Sequence, residues 1–278
     1  MLKDYEHKSD GVKKTLRIVG LVDNSVFGLA AAEHALKFAE IFKAELILIA
    51  CHSEVDLEKI SLSLSQKNSH ITIVTQTVNN LYHKDFYSLL EDLNAILMVL
   101  SVSKNKGLTF FTPKKALKLI SKSRIPAVVC GTKTPVENAY KDVLLPLNIH
   151  RQAKEKSLWA GYFSRFYKAT VHVLYTVYKD EYLKNRLYEN SRFTEKLYQN
   201  LEVTFQNHVI ENVKEDMDEF AVNYAKKIDA SLILIMTTRY YSIFDYMLGP
   251  KELQIMTNDH EIPVMLINQR DDLYVLCT

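Results

Sequence analysis

The chain has 278 residues, of which 47% are hydrophobic and 24% charged, and its formal net charge at pH 7 is +2. This length allows one large domain or two of roughly 100 to 150 residues, and the near-neutral charge gives no reason to expect nucleic acid or an anionic membrane surface as a partner. Three widely spaced cysteines argue against a disulfide framework, and no apolar run is long enough to span a bilayer. We therefore expect a soluble cytoplasmic protein that binds neither nucleic acid nor membrane.

The first elements alternate between two hydrophobic patterns. "LRIVGLVDNS" at 16–25 and "AELILIAC" from Ala44 are continuous apolar runs, which predict strands buried on both faces. Between them, "SVFGLAAAEHALKFAEIFKA" at 25–44 places apolar residues at a helical period. "NAILMVLSVSK" from Asn94 predicts a further strand, and "PKKALKLISKSRIPAVVC" from Pro113 predicts a helix followed by a strand that starts at Pro126.

The same order returns later in the chain, which indicates an internal repeat. The segment "KDVLLPLNIH" at 141–150 matches the first strand, so that Asn148 corresponds to Asp23 at an offset of 125 positions. The segment "ATVHVLYT" from Ala169 matches the second strand, from Ala44, at the same offset. "DASLILIMTTR" and "PKELQIMTNDHEIPVMLI" repeat the later segments, and helices are predicted over "QAKEKSLWAGYFSRFYKA" and over 180–201. Each half therefore reads strand, helix, strand, helix, strand, strand-like run, helix, strand.

This alternation predicts an α/β fold of two tandem Rossmann-like domains, each with a five-stranded, mostly parallel sheet flanked by helices. The domains are expected at 14–132 and 140–270. The turn-rich stretch at 133–139 is the predicted linker between them, and 1–13 and 271–278 are predicted tails.

The segment "RIVGLVDNSVFGLAAAEHALKFAEIFKAELILIAC" resembles the opening of a universal stress protein domain, and "EIPVMLI" resembles its closing strand. The resemblance covers both halves and implies a tandem universal stress protein with the adenine nucleotide α-hydrolase-like fold. Domains of this family commonly dimerise by pairing their last strands antiparallel. The resemblance therefore implies that 126–130 pairs with 263–267 within this chain, where each edge protects the other. Pro126 and Pro263 would each stand at the first strand position, where a missing N–H does little harm.

The resemblance also implies where a nucleotide would bind. Many nucleotide-binding members carry Gly-x-x-Gly-x9-Gly-Ser/Thr after the fourth strand, because glycine lets backbone N–H groups approach phosphate. "VSKNKGLTFFTPKKAL" in the first half keeps Gly107 and has Thr112 near the Gly-Ser position. "MTTRYYSIFDYMLGPKEL" in the second half keeps Gly249 but has Thr237 and Tyr240 where glycines are expected. Neither half has an intact phosphate cradle.

Asp23 matches the family aspartate that lies beside the nucleoside, at the edge of the sheet where open α/β folds bind ligands. The alternative is that Asp23 caps the following helix or closes the turn with Asn24 and Ser25. The first-half candidates for contact with ATP or AMP are Asp23, Ser25, Cys51, Gly107 and Thr112, and the degenerate second-half counterparts are Asn148, Thr237, Tyr240 and Gly249. Cys51 is also interpreted as a packed thiol beside a surface histidine, and we expect no metal site.

Two function classes remain. The first is a non-catalytic universal stress protein, a regulatory module that binds a small molecule or a protein partner and has at most weak adenine nucleotide binding in its first domain. The alternative is an ATP-using enzyme of the adenine nucleotide α-hydrolase type. That enzyme needs a Ser-Gly-Gly-x-Asp-Ser kind of loop after the first strand, whereas 22–27 reads "VDNSVF". The sequence favours the module.

Overall fold

A computed structural model of the chain describes residues 15–105, 107–133, 136–137, 139–150, 153–211, 213, 216–237 and 251–269. The first half contains β1 (Arg17–Val22), α1 (Val26–Phe42), β2 (Glu45–Ala50), α2 (Leu57–Lys67), β3 (Ile73–Thr77), α3 (Lys84–Asp92), β4 (Ala95–Ser101), α4 (Pro113–Ile120) and β5 (Ala127–Cys130). The second half contains β6 (Asp142–Pro146), α5 (Ala153–Tyr167), β7 (Thr170–Thr176), α6 (Glu181–Asn200), β8 (Phe205–Ile210), α7 (Met217–Lys227), β9 (Leu232–Met236), α8 (Lys251–Met256) and β10 (Val264–Ile267).

The strands form one ten-stranded sheet in the order β3-β2-β1-β4-β5-β10-β9-β6-β7-β8. Within each half all neighbouring strands are parallel, which confirms the predicted α/β fold with five strands per half. β5 and β10 are antiparallel, with Val128 opposite Met265 at the centre of the pair. This antiparallel pair joins the two halves, so neither of the two closing strands is an edge of the sheet.

The two prolines stand directly before the joining strands. The backbone N–H of Met98 donates to the oxygen of Pro126, and that of Ile233 donates to the oxygen of Pro263, each over 3.0 Å. Each proline therefore supplies a carbonyl to the parallel neighbour at a point where its own missing N–H leaves no gap in a ladder.

Among the described residues, the predicted element order lacks one helix in each half. α3 and α7 lie between the third and fourth strands, each begins at a capping residue, and each buries only one narrow stripe. In α3 the buried side chains are Phe86 and Leu90, four positions apart. A stripe of two apolar residues in a nine-residue helix is too short to stand out as a helical period in the sequence.

An aromatic cluster between α1 and α5 adds a second contact between the halves. Phe42 of α1 lies against Phe163 and Trp159 of α5, with ring centroids 5.5 and 6.2 Å apart. Tyr140, two residues before β6, is fully buried beside this cluster, and its hydroxyl lies 2.5 Å from Nδ1 of His34 in α1. The start of the second half is thus anchored on a helix of the first.

Candidate functional site

The carboxyl ends of β1 and β4 form the crevice where an open α/β sheet would hold a ligand, because the strand order reverses between them. Asp23 follows β1 at this point and is only 5% exposed. Its Oδ1 accepts hydrogen bonds from the N–H (2.9 Å) and the hydroxyl of Ser25. Its Oδ2 accepts from the hydroxyl of Thr109 (2.8 Å) and from the N–H of Phe110 (2.6 Å).

These four donors occupy the acceptor positions that an ionised carboxylate offers. Burial raises the pKa of Asp23, but the hydrogen bonds from Phe110, Ser25 and Thr109 outweigh burial and leave the pKa below its ordinary value. Asp23 is therefore a charged group whose hydrogen bonds all go to its own chain. It ties the β1–α1 turn to the loop after β4.

Ser25, rather than Asp23, caps α1. The Ser25 hydroxyl accepts from the N–H of Gly28 over 3.2 Å, while the Asp23 carboxylate closes the turn. Gly28 is required by close approach, because a Cβ at that position would lie 2.2 Å from the backbone oxygen of Asp23. Of the two roles considered as alternatives to nucleotide contact, the structure shows the turn-closing one for Asp23.

The loop between β4 and α4 covers the crevice. Gly107 has a φ of 85°, and a Cβ at this position would meet no other atom. Glycine is therefore favoured here by the left-handed backbone conformation and not by a close contact with another group. Phe111 is 1% exposed and belongs to the hydrophobic core, while the Phe110 ring lies 6.5 Å from the ring of His52, just after β2. Thr112 caps α4 by accepting from the N–H of Lys115.

Cys51 is a packed thiol. It is 6% exposed, and its N–H donates to the oxygen of Val22 over 3.0 Å. Burial, and secondarily the charge of Asp23, raises the pKa of Cys51 far above its ordinary value. A thiol held protonated in this way is a poor nucleophile and a poor metal ligand.

Among the cavities lined by described residues, two lie near this site, and Asp23 lines neither of these two. A crevice of about 250 Å³ at the ends of β4 and β5 is bounded by Ser103, Gly131 and Asn258 among others. It is smaller than the usual 300 to 1,000 Å³ of a ligand pocket. A wider open groove of about 1040 Å³ lies between α4, α7 and α8, with Thr112 on its wall.

In the second half the corresponding strand end is also tied to the chain itself. Asn148 accepts from the N–H of His150 at its side-chain oxygen, over 3.1 Å. Asn190 of α6 donates to the backbone oxygens of Asn148 (2.8 Å) and His150 (2.9 Å). Thr237 bonds through its hydroxyl to Asn268 and to the oxygen of Ile267. The other two second-half candidates, Tyr240 and Gly249, lie outside the described residues.

A buried ionic cluster, not predicted from the sequence, lies near this strand end. Lys156 of α5 is 0% exposed, and its Nζ donates to the oxygen of Pro146 (2.6 Å) and lies 3.4 Å from Oδ1 of Asp218. Lys251 bridges Asp218 (3.3 Å) and Asp216 (2.9 Å). Burial lowers the pKa of Lys156, with Asp218 opposing it, whereas the two aspartates overcome burial and raise the pKa of Lys251.

A signal for this cluster was present in the sequence. Lys156 stands four residues before Ala160 and seven before Phe163, both buried, so it lies on the apolar stripe of α5. A lysine in that position has to find a buried acceptor.

Within the described part of the chain, we find no group of three or more His, Cys, Asp or Glu residues that could hold a metal ion. Among these same residues, no helix has both the length and the apolar character required to cross a membrane.

The fold has clear counterparts among solved structures. A universal stress protein from Archaeoglobus fulgidus DSM 4304 superimposes with a TM-score of 0.62 at 13% identity, covering 92% of this chain and 97% of that one. A putative universal stress protein from Pseudomonas aeruginosa UCBPP-PA14 gives 0.62 at 18% identity, covering 94% and 95%. The cytoplasmic domain of a prokaryotic cation chloride cotransporter gives 0.54 at 10% identity, covering 95% and 100%.

These likenesses place the chain in a structural class: it has the tandem two-domain fold seen in universal stress proteins. The sequence itself matches no family model and no curated protein. Because the same fold also serves a transporter's cytoplasmic domain, the fold does not by itself define a function.

Proposed function

We propose that this protein is a non-catalytic binding and regulatory module of the universal stress protein type, with at most weak adenine nucleotide binding in its first half. One observation carries the proposal: all acceptor positions of the Asp23 carboxylate are filled by Ser25, Thr109 and Phe110. A nucleoside hydroxyl that reached Asp23 would have to displace donors of the chain itself. The ligand of such a module is a protein partner or a small molecule other than ATP.

The second half supports the same proposal. The strand end that corresponds to the β1 end is held by Asn190, and the nearby lysines are paired with Asp216 and Asp218. A phosphate group would have to compete with two carboxylates for those lysines. We therefore expect no nucleotide site there.

A cytoplasmic location belongs to this proposal. Cys51 and Cys130 are both buried free thiols, which is the state that a reducing compartment maintains.

Calorimetric titration of the full chain with ATP and with AMP tests the proposal. We expect dissociation constants of roughly millimolar or weaker, since losing two or more charge-assisted bonds of about 1.5 to 3 kcal/mol each removes several powers of ten. The variants are Asp23→Asn and, as a matched control, Asp56→Asn, an exposed aspartate that caps α2. Micromolar binding that Asp23→Asn abolishes and Asp56→Asn preserves would overturn the proposal.

The alternative is an ATP-using enzyme, and its test is separate. Purified protein is incubated with ATP and magnesium, and the release of ADP, AMP and pyrophosphate is followed. We expect no release above that of the Asp23→Asn variant. A turnover that disappears in this variant while its melting temperature stays unchanged would establish the enzyme.

A further inference from the structure

A chain of hydrogen-bonded polar side chains crosses the outer strands of the second half, far along the sheet from β1. His172 of β7 bonds through Nε2 to Oδ1 of Asp142 in β6 (3.1 Å) and through Nδ1 to Nε2 of His208 in β8 (2.9 Å). Nδ1 of His208 lies 2.9 Å from the hydroxyl of Tyr224 in α7. The four groups thus link three strands and the helix that covers them.

The register of the strands explains the diagonal path. His172 is opposite Leu144 in β6, two positions along from Asp142, and His208 is opposite Leu174, two positions along from His172. Side chains two residues apart lie on the same face of a strand, so all three polar groups point to the face that α7 covers.

When both imidazoles are neutral, the hydrogens shared by Asp142, His172, His208 and Tyr224 can be arranged in one way only. The Asp142 carboxylate can only accept, so Nε2 of His172 carries the hydrogen and its Nδ1 accepts. His208 must then donate from Nε2 to Nδ1 of His172. Its own Nδ1 accepts a hydrogen bond from the Tyr224 hydroxyl. All four ring nitrogens of His172 and His208 are paired in this state.

Protonation removes this arrangement in two steps. A first proton can enter at Nδ1 of His172 if His208 moves its own hydrogen to Nδ1 and the Tyr224 hydroxyl becomes the acceptor. A second proton places N–H groups on both facing nitrogens, 2.9 Å apart, with no acceptor between them. The two rings must then separate.

We propose that Asp142, His172, His208 and Tyr224 form a proton-sensitive latch that holds β8 to α7 when the imidazoles are neutral and opens when both are protonated. β8 is the outermost strand and pairs only with β7 in the described sheet, so the His208 ring is the one that moves. His172 is held in place because it is 7% exposed and lies between two strands.

The electrostatic surroundings agree with this geometry. The titratable and charged groups placed against the histidine pair are Asp142 from β6, Tyr224 from α7, and Lys227, whose Nζ lies 5.7 Å from the Tyr224 ring centroid. Burial, and then the neighbouring His172, lowers the pKa of His208. Asp142 accepts a hydrogen bond from His172, and a proton on either ring of the histidine pair opposes a second proton on the other.

The first arm of the test is an NMR titration of the histidine rings in the full chain from pH 8 to 5, with a chelator present. With ring centroids 5.1 Å apart, we expect the two rings to titrate in steps at least about one pH unit apart. In His172→Asn, His208 should take its proton about one pH unit higher than in the wild type. Two independent titrations with the same midpoint, or an unchanged His208 in the variant, would overturn the latch.

The second arm is hydrogen exchange, with β3 as an internal control. β3 is the opposite edge strand, and the 125-position offset puts Ile47 where the second half has His172. Protection factors in β8 should fall at least about tenfold more than those in β3 between pH 7.5 and 5. The difference should vanish in His208→Gln and persist in His70→Gln, a control at an exposed histidine ahead of β3. Equal falls in β8 and β3 of the wild type would refute the proposal even if a variant fails to fold.

Discussion

His34 should make the stability of this protein fall at acidic pH. It is 1% exposed on α1, and burial lowers its pKa from 6.5 to about 4, with Glu33 opposing the change. The unfolded chain therefore binds a proton between these two values that the folded chain excludes. The stabilising contribution of neutral His34 is complete above pH 6.5 and is lost progressively as the pH falls toward 4.

The size of this effect follows from the difference between the folded and unfolded pKa values. A difference of one in pKa corresponds to about 1.36 kcal/mol, so lowering the pKa of His34 from 6.5 to about 4 gives a loss of about 2.5 kcal/mol by pH 4.5. The protonated ring would also face the Tyr140 hydroxyl, which is fully buried and 2.5 Å away. Because Tyr140 lies just before β6, we expect this loss of stability to weaken the contact between the two halves.

The assay is urea unfolding from pH 7.5 to 4.5, followed by the fluorescence of Trp159. This is the single tryptophan of the chain, and it lies 6.2 Å from Phe42 in the contact between α1 and α5. His34→Gln keeps an acceptor for Tyr140 but cannot titrate, so its loss of stability over this range should be smaller than in the wild type by about 2.5 kcal/mol. His70→Gln, at an exposed site, should behave as the wild type. Equal losses in the wild type and His34→Gln would refute the reasoning.

Three further predictions concern close packing and buried charge. Gly28→Ala should prevent stable folding, because its Cβ would lie 2.2 Å from a backbone oxygen, whereas Gly161→Ala, with a nearest contact of 3.5 Å, should fold with a similar or higher melting temperature. Val128→Pro should yield aggregated protein, because it removes a ladder donor from β5 at the joint between the halves, and normal solubility and melting would contradict this. Lys156→Met should cost about 3 to 5 kcal/mol in urea unfolding by leaving Asp218 short of a buried partner, and adding Asp218→Leu should recover part of that loss. No recovery in the double variant would show that the ion pair is not the cause.

The fold was largely predictable because its strands are buried on both faces. Segments such as "AELILIAC" and "NAILMVLSVSK" are continuous apolar runs, and their repetition in the same order indicated two α/β halves. α3 and α7 were not predicted because their buried stripes are short. Periodicity reports a helix only when the apolar face is long enough to repeat.

The candidate site was predictable in position but not in its bonding. Asp23 stands out as a carboxylate that ends an apolar strand. Its partners Thr109 and Phe110 are 86 and 87 positions away, and nothing in the sequence links them to it. Lys156 was overlooked for a different reason: lysines in an amphipathic helix usually lie on its solvated face. Long-range hydrogen bonds such as those of Asp23 depend on tertiary packing, which local patterns do not encode.

Each half has charged side chains at the carboxyl end of its first strand, Asp23 in the first half and the paired Lys156, Lys251, Asp216 and Asp218 in the second, and both arrangements disfavour an anionic ligand. In the first half a phosphate would approach a carboxylate, Asp23, whose hydrogen bonds keep it ionised. In the second half a phosphate would have to separate Lys156 and Lys251 from Asp218, and removing one partner of a buried pair is more costly than never forming it. A neutral or cationic ligand avoids both penalties. The charges at the two strand ends therefore support the proposal that this protein binds adenine nucleotides weakly at most.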